Sequence, residues 1–401
     1  MSLGVSVIGT AMSRFGPQPD RTLRDLASRV ALEALNDSGS RSEDIDLIVF
    51  ANASGGLYDG QEMIRGEVAL RHTPLAGTAI VNVENACASS SSAFQLGCMA
   101  IRSGMAARVM VIGAEKMTQE AKTRTYAMLG GAVDLTEDRA VETMVKSHAL
   151  GLNTGEPTLN RSPFMAIYAR RTDRYLASSS ATIEDVAMVS VKNRGHAALN
   201  ERAQFRDPVT TEQVLESRMI ADPLRLLMCS PIADGAAALV LAPTDERHPQ
   251  SIEVLASEIR TGKDAPGHSP VRQAALAAYG VAGIDPSDLD LLEMHDAAGS
   301  AELWGYEELG LAPDGEGSRL IRDGVVALGG ELPVNTSGGL LAKGHPIGAT
   351  GCAQLVELTE QLQRRSGPRQ VEQAHTALAQ NGGGILAGRE AVAVITILGR
   401  R

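Results

Sequence analysis

Asp44-Ile-Asp-Leu-Ile-Val-Phe-Ala-Asn-Ala53 and Asp288-Leu-Asp-Leu-Leu-Glu-Met-His-Asp-Ala297 share two aspartates, a leucine and the closing alanine at equal spacing. Each contains a short apolar run bounded by turn-forming residues, the pattern of a buried strand. A second echo, Arg102-Ser-Gly104 against Arg365-Ser-Gly367, stands at the end of the corresponding helix in each half of the chain. Two echoes in the same order point to an internal duplication.

The surrounding pattern agrees. Strands are expected at Val5–Ile8, Leu47–Ala51, Ile80–Val83 and Val109–Gly113, with helices at Leu23–Leu35, near Glu62–Arg71 and after Cys87. The rhythm returns with strands Ile252–Leu255, Leu289–Met294, Val334–Thr336 and Ala391–Leu398, and helices Val271–Tyr279, around Ala301–Leu309 and after Gly348. Alternation of this kind builds a covered, mostly parallel α/β sheet. From about Met117 to Cys229 the chain turns helical and polar, with helices at Ile167–Leu176 and Ile183–Lys192 and a polar loop Arg194–Arg206. That is too long for a connection and reads as a lid subdomain. Ala236–Ala242 then returns as a strand to the first sheet. The expected division is an N-terminal half over 1–250, carrying the insertion at about 117–229, and a C-terminal half over 251–401.

Composition bounds the function. The 401 residues carry a net charge of −11, with 44% hydrophobic and only 3% aromatic residues. An acidic surface argues against nucleic-acid and anionic-membrane binding. No run of 18 apolar residues and no signal peptide is visible, and Cys87, Cys98, Cys229 and Cys352 show neither zinc-ribbon nor disulfide spacing. Reduced thiols, a cytoplasmic location and no metal are the expectation.

Two segments carry chemistry. In Asn85-Ala-Cys-Ala-Ser-Ser-Ser-Ser92 the cysteine follows a strand and opens a helix. A helix N-terminus offers free N–H groups and about half a positive charge, which lowers a thiol pKa from about 8.5 and welcomes an oxyanion. A free cysteine is ordinarily small core filling; the strand–Cys–Ser-rich-helix setting favours a nucleophile at Cys87. In Asn335-Thr-Ser-Gly-Gly-Leu-Leu-Ala-Lys-Gly-His-Pro-Ile-Gly-Ala-Thr-Gly351, one histidine is held between Gly344 and Pro346. Glycine lets backbone approach a ligand and proline limits the neighbouring dihedrals, so His345 suits a general base.

Together these motifs resemble the thiolase superfamily, and Val109-Met-Val-Ile-Gly-Ala-Glu-Lys-Met117 and Ser230-Pro-Ile-Ala-Asp-Gly-Ala-Ala-Ala238 extend the resemblance over nearly the whole chain. Asn193-Arg-Gly-His-Ala-Ala-Leu-Asn-Glu-Arg-Ala-Gln-Phe205 and Glu293-Met-His-Asp-Ala297 are similar to the sterol-carrier-protein-type and archaeal-type members. The resemblance implies a five-layered αβαβα fold of two pseudo-twofold-related halves with an inserted loop domain. It also implies a homodimer and an acyltransferase acting on coenzyme A or pantetheine-carried thioesters without a metal or redox cofactor. It makes Cys87 the acylated nucleophile, His345 its activator and His295 a holder of the thioester oxygen. Ser230, Gly344 and Gly383 would line the coenzyme A site, and a small zinc-ribbon/OB-type partner protein is implied by the archaeal-type relatives.

One position departs from the family pattern. Thiolases place a cysteine or histidine before the late glycines to move the α-proton of the second substrate, whereas Leu378-Ala-Gln-Asn-Gly-Gly-Gly384 offers Gln380 and Asn381. An amide is no base at neutral pH. Cys98, Cys352 and His375 are poorer substitutes, and Ile385–Glu390 reads as an extra loop. Acyl transfer through Cys87 stays supported, while thiolysis or Claisen condensation by two bases is in doubt. The alternative is a non-standard member forming or cleaving carbon–carbon bonds, or binding acyl groups as a scaffold, inside a complex with such a partner. A papain-like hydrolase lacks this duplicated architecture, and a dinucleotide-binding enzyme would need Gly-x-Gly-x-x-Gly where Gly9 is followed by Thr-Ala-Met-Ser-Arg-Phe-Gly.

Overall fold

The structure is a computed structural model that describes residues 3–120, 122–136, 162–244, 248–265 and 267–400. The strands are β1 (Val5–Met12), β2 (Leu47–Ala51), β3 (Ala79–Val83), β4 (Val109–Glu115), β5 (Met219–Ala221), β6 (Leu224–Arg225), β7 (Gly235–Pro243), β8 (Ile252–Thr261), β9 (Leu291–Glu293), β10 (Thr376–Leu386) and β11 (Arg389–Gly399). Nine of them hydrogen-bond in the order β3-β2-β4-β7-β1-β8-β11-β10-β9, while β5 and β6 form a separate ribbon.

The duplication is written in the pairing. β2 runs parallel to β4, β4 antiparallel to β7, and β7 antiparallel to β1. In the same way β9 runs parallel to β10, β10 antiparallel to β11, and β11 antiparallel to β8. The sheet is therefore mixed rather than mostly parallel as expected, because β7, β1, β8 and β11 pair antiparallel with their neighbours. The repeated aspartates do equal work. Asp46 caps the N–H groups of Ala107 and Arg108 at 2.8 and 2.9 Å, and Asp290 caps those of His375 and Thr376, both at 2.8 Å. Each fixes the register of the strand that follows. β3 pairs with β2 along its length, but its expected counterpart Val334–Thr336 shrinks to one bridge between Leu292 and Val334. Among the described strands, the two runs pair through Ser6 with Glu253 and Val7 with Ile252.

Two helices, Ser89–Arg102 and Thr350–Leu362, pack against each other between the two runs of strands, and the second is buried on every face except at Glu360. Leu23–Asp37 covers the first run from outside and Pro270–Ala282 the second. The result is the αβαβα layering. Strands β1, β4 and β7 are buried along nearly their whole length, and the apolar runs of β4 and β7 are continuous rather than alternating.

Close approach between the central helices demands glycine. A Cβ on Gly351 would lie 2.6 Å from the Ser91 nitrogen, and one on Gly113 2.7 Å from the Gly348 carbonyl. In the inserted region, Pro163–Ser178 and Ile183–Ala198 are helices, the second running five residues into the expected loop. His196 explains that extension. Its Nδ1 meets the Asn335 carbonyl at 3.0 Å and its Nε2 accepts the Leu328 N–H at 2.9 Å, so the last turn is held against the C-terminal run. Ile385–Glu390, read as an extra loop, forms the tight end of the β10–β11 hairpin, with Ile385 opposite Glu390. No described helix is long and apolar enough to cross a membrane.

Candidate active site

Each central helix is entered through a short 3-10 turn, Ala86–Ala88 before one and Ile347–Ala349 before the other, and the two turns touch. Cys87 and His345 arrive on these equivalent entries. The serines beside Cys87 explain the first turn. Ser89 Oγ donates to the Ala86 carbonyl at 2.6 Å and accepts the Asn85 N–H at 2.9 Å, Ser92 receives Asn85 Nδ2 at 3.0 Å, and Ser90 Oγ accepts the Cys352 N–H at 2.9 Å. Ala86 sits at φ +48°, a conformation costing an L-residue about 1 kcal/mol or more, and this net of bonds holds it there.

His295 follows β9. Its side-chain nitrogen, one on His345 and the Cys87 sulfur all lie within 4.8 Å of one another, and the two imidazoles meet edge to face with centroids 5.0 Å apart. All three side chains are buried. His345 Nδ1 lies 2.8 Å from Thr350 Oγ1, whose own proton goes to the Pro346 carbonyl at 3.0 Å. Nδ1 therefore carries the imidazole proton, and Nε2 keeps a free lone pair.

Burial pushes the His345 imidazole well below its ordinary range, with His295 and Lys343 adding to the effect. Burial likewise takes His295 down to about 4, against a pull from Glu390. Both rings are neutral at pH 7. The thiol behaves against expectation: burial, with the Glu115 and Glu84 charges, pushes Cys87 up to about 12. The helix entry does not lower it, because desolvating a thiolate and facing it with carboxylates outweighs a partial charge. The backbone N–H groups of Cys87 and Gly384 pull the thiol the other way.

The late glycines find their reasons here. A Cβ on Gly383 would meet the Ala88 nitrogen at 2.8 Å, so this strand can lie against the cysteine turn only as glycine. Gly384 has φ +61°, and Ile385 donates to the Ala132 carbonyl at 2.9 Å. Gln380 Oε1 accepts the His295 backbone N–H at 2.8 Å, placing this amide beside the histidine. Asn381 faces away, its Nδ2 bound to Gln354 Oε1 at 2.9 Å. Gly344 takes φ +107° and ends the helix Gly339–Lys343. Ser230 is half-buried, its N–H donating to the Ala297 carbonyl at 3.0 Å, two residues beyond His295. Cys98 and Cys352 are core, and His375 is exposed away from the cluster.

Several neighbours lie outside the sequence reading. Glu115 binds the N–H groups of Ala53 at 3.0 Å and Gly348 at 2.9 Å, clamping the histidine-side turn to β2. Lys343 is fully buried against Glu293 at 3.3 Å. Both stand inside quoted motifs, but buried charges carry no periodic signal. Met117, Met128 and Ile347 pack with Cys87 and form an apolar wall beside the sulfur.

The thiolase N-terminal domain family matches residues 5–245, and the thiolase C-terminal domain-like family matches 254–400. Acetyl-CoA acetyltransferase of Methanothermobacter thermautotrophicus is 38% identical, with 95% of this chain and 96% of that protein covered. Sterol carrier protein 2 of Bos taurus is 32% identical over 94% of this chain and 69% of its own length. Among solved structures, an Ltp2-ChsH2(DUF35) aldolase superposes with a TM-score of 0.76 at 26% identity, covering 99% of this chain and 98% of the other. The chain belongs to the thiolase family of acyltransferases.

Proposed function

We propose that the chain accepts an acyl group from an acyl-coenzyme A, or a pantetheine-carried thioester, onto Cys87. The observation that carries this reading is the convergence of Cys87, His295 and His345 within 4.8 Å. His345 Nε2 takes the sulfur proton as the sulfur attacks the thioester carbonyl. The N–H groups of Cys87 and Gly384 receive the oxyanion. Collapse expels the coenzyme A thiolate, which leaves with the proton from His345. Burial that holds the thiol above its ordinary range favours this coupled transfer over attack by a preformed thiolate. His295 holds the thioester oxygen of the second substrate, with Gln380 fixing its backbone. Ser230, Gly344 and Gly383 line the coenzyme A path, and the halves divide at about residue 250.

Gln380 favours a second reading of the acceptor step. An amide there cannot shuttle an α-proton, so carbon–carbon bond making or breaking would draw on a group brought by the substrate or by a small zinc-ribbon/OB-type partner. Likeness to the Ltp2-ChsH2(DUF35) aldolase supports that partner. A cytoplasmic homodimer fits the edge strand β3, which leaves Val81 46% exposed, with Leu96 and Met99 exposed on the helix Ser89–Arg102.

Release of free coenzyme A from a panel of acyl-coenzyme A esters tests the function, with Cys87→Ala expected to abolish it. Acetoacetyl-coenzyme A thiolysis should be very weak and rise in Gln380→His. Robust wild-type thiolysis would show that Gln380 imposes no block.

A further inference from the structure

The same cluster presents a second chemistry. The Cys87 sulfur and the two imidazole nitrogens form a one-sulfur, two-nitrogen set within 4.8 Å, and no other group of three His, Cys, Asp or Glu among the described residues meets that spacing. Tetrahedral zinc needs such atoms roughly 3.3–3.6 Å apart, given metal–sulfur and metal–nitrogen bonds of about 2.3 and 2.0 Å. Side-chain movement of about 1 Å closes the difference.

Ligand availability is decided by hydrogen bonds. His345 Nδ1 is committed to Thr350 Oγ1, leaving Nε2 unengaged. His295 is more than nine-tenths buried, and its Nδ1 has no partner of any kind. The interplanar angle of 89° between the rings lets a nitrogen of each point at a common centre without stacking. Thiolate plus imidazole is a borderline-soft donor set, suited to Zn²⁺ and poorly matched to Mg²⁺ or Ca²⁺.

We propose that Cys87, His295 and His345 form an inhibitory site for Zn²⁺-class divalent cations. Binding forms one metal–sulfur and two metal–nitrogen bonds, and the thiol proton is released to solvent, one per ion. A metal there removes both the nucleophile and its base, so occupancy and acylation exclude one another. This inference rests on the proposed role of Cys87 only for its consequence; the coordination itself does not need it.

The test uses the full chain and Co²⁺ as a spectroscopic stand-in for Zn²⁺. One equivalent should produce a sulfur-to-cobalt charge-transfer band and tetrahedral visible bands, lost in Cys87→Ser and weakened in His295→Gln. On the wild-type protein, Zn²⁺ in slight excess should slow alkylation of Cys87 by iodoacetamide at least about tenfold, with recovery on adding EDTA. Mg²⁺ should do nothing. Alkylation unaffected by Zn²⁺, or a cobalt band unchanged by Cys87→Ser, would overturn the proposal. Loss of acylation by acyl-coenzyme A with the cobalt band intact would instead count against the proposed function alone.

Discussion

Cys87, the proposed nucleophile, is held in its protonated form. Its sulfur faces Glu115 and lies out of water, and both raise the thiol, while the nearby histidines are too weakly basic to form an ion pair with it. Alkylation of Cys87 by iodoacetamide should therefore be slow at pH 7 and climb without a plateau to at least pH 10. Peptide-mapped mass spectrometry across that range checks this, and an inflection at or below pH 8 would contradict it. Cys87 and His345 were legible in sequence because strand–turn–helix spacing and glycine density surround them. The direction of the thiol shift was not, since it depends on burial and then on Glu115, 28 residues away in sequence, both set only by folding. Gln380 was legible as a departure, while its contact with the His295 backbone belongs to the folded strand pair β9–β10.

At the scale of elements, buried carboxylates fasten the pieces that periodicity only sketches. Asp234, just before β7, accepts N–H groups from Met117 and Thr118, each at 2.8 Å, and from Gln18 at 3.0 Å, and pairs with the buried Lys116 at 2.5 Å. It pins the root of the inserted region where the chain leaves β4. Asp234→Asn leaves Lys116 without its charge partner and should cost about 3 kcal/mol in urea unfolding. A loss below about 1 kcal/mol would show that water replaces the pair. Strand boundaries at Leu47–Ala51 were read in full from the apolar run, yet β10 went unread because its glycines look like a loop. Those glycines are strand residues pressed against the cysteine turn, a tertiary demand that overrides propensity.

For the whole molecule, duplication is the organising fact, and it was legible because the capping aspartates recur at fixed spacing. Joining the runs buries histidines in neutral form. His196 and His295 both fall to about 4, below the ordinary value of about 6.5. The unfolded chain thus takes up protons first as pH falls. Their contribution is complete above about pH 6.5 and is lost toward pH 4, about 3 kcal/mol for each. Melting temperature should drop across that window, and drop less in His196→Gln, which retains a donor and an acceptor for Asn335 and Leu328. A flat wild-type profile would contradict neutral burial. If this doubled fold brings one sulfur to an acyl carbonyl, intact-mass spectrometry after mixing with acyl-coenzyme A should show a single acyl adduct that maps to Cys87 and is absent in Cys87→Ala. An adduct that persists in that variant, or maps to another residue, would contradict it.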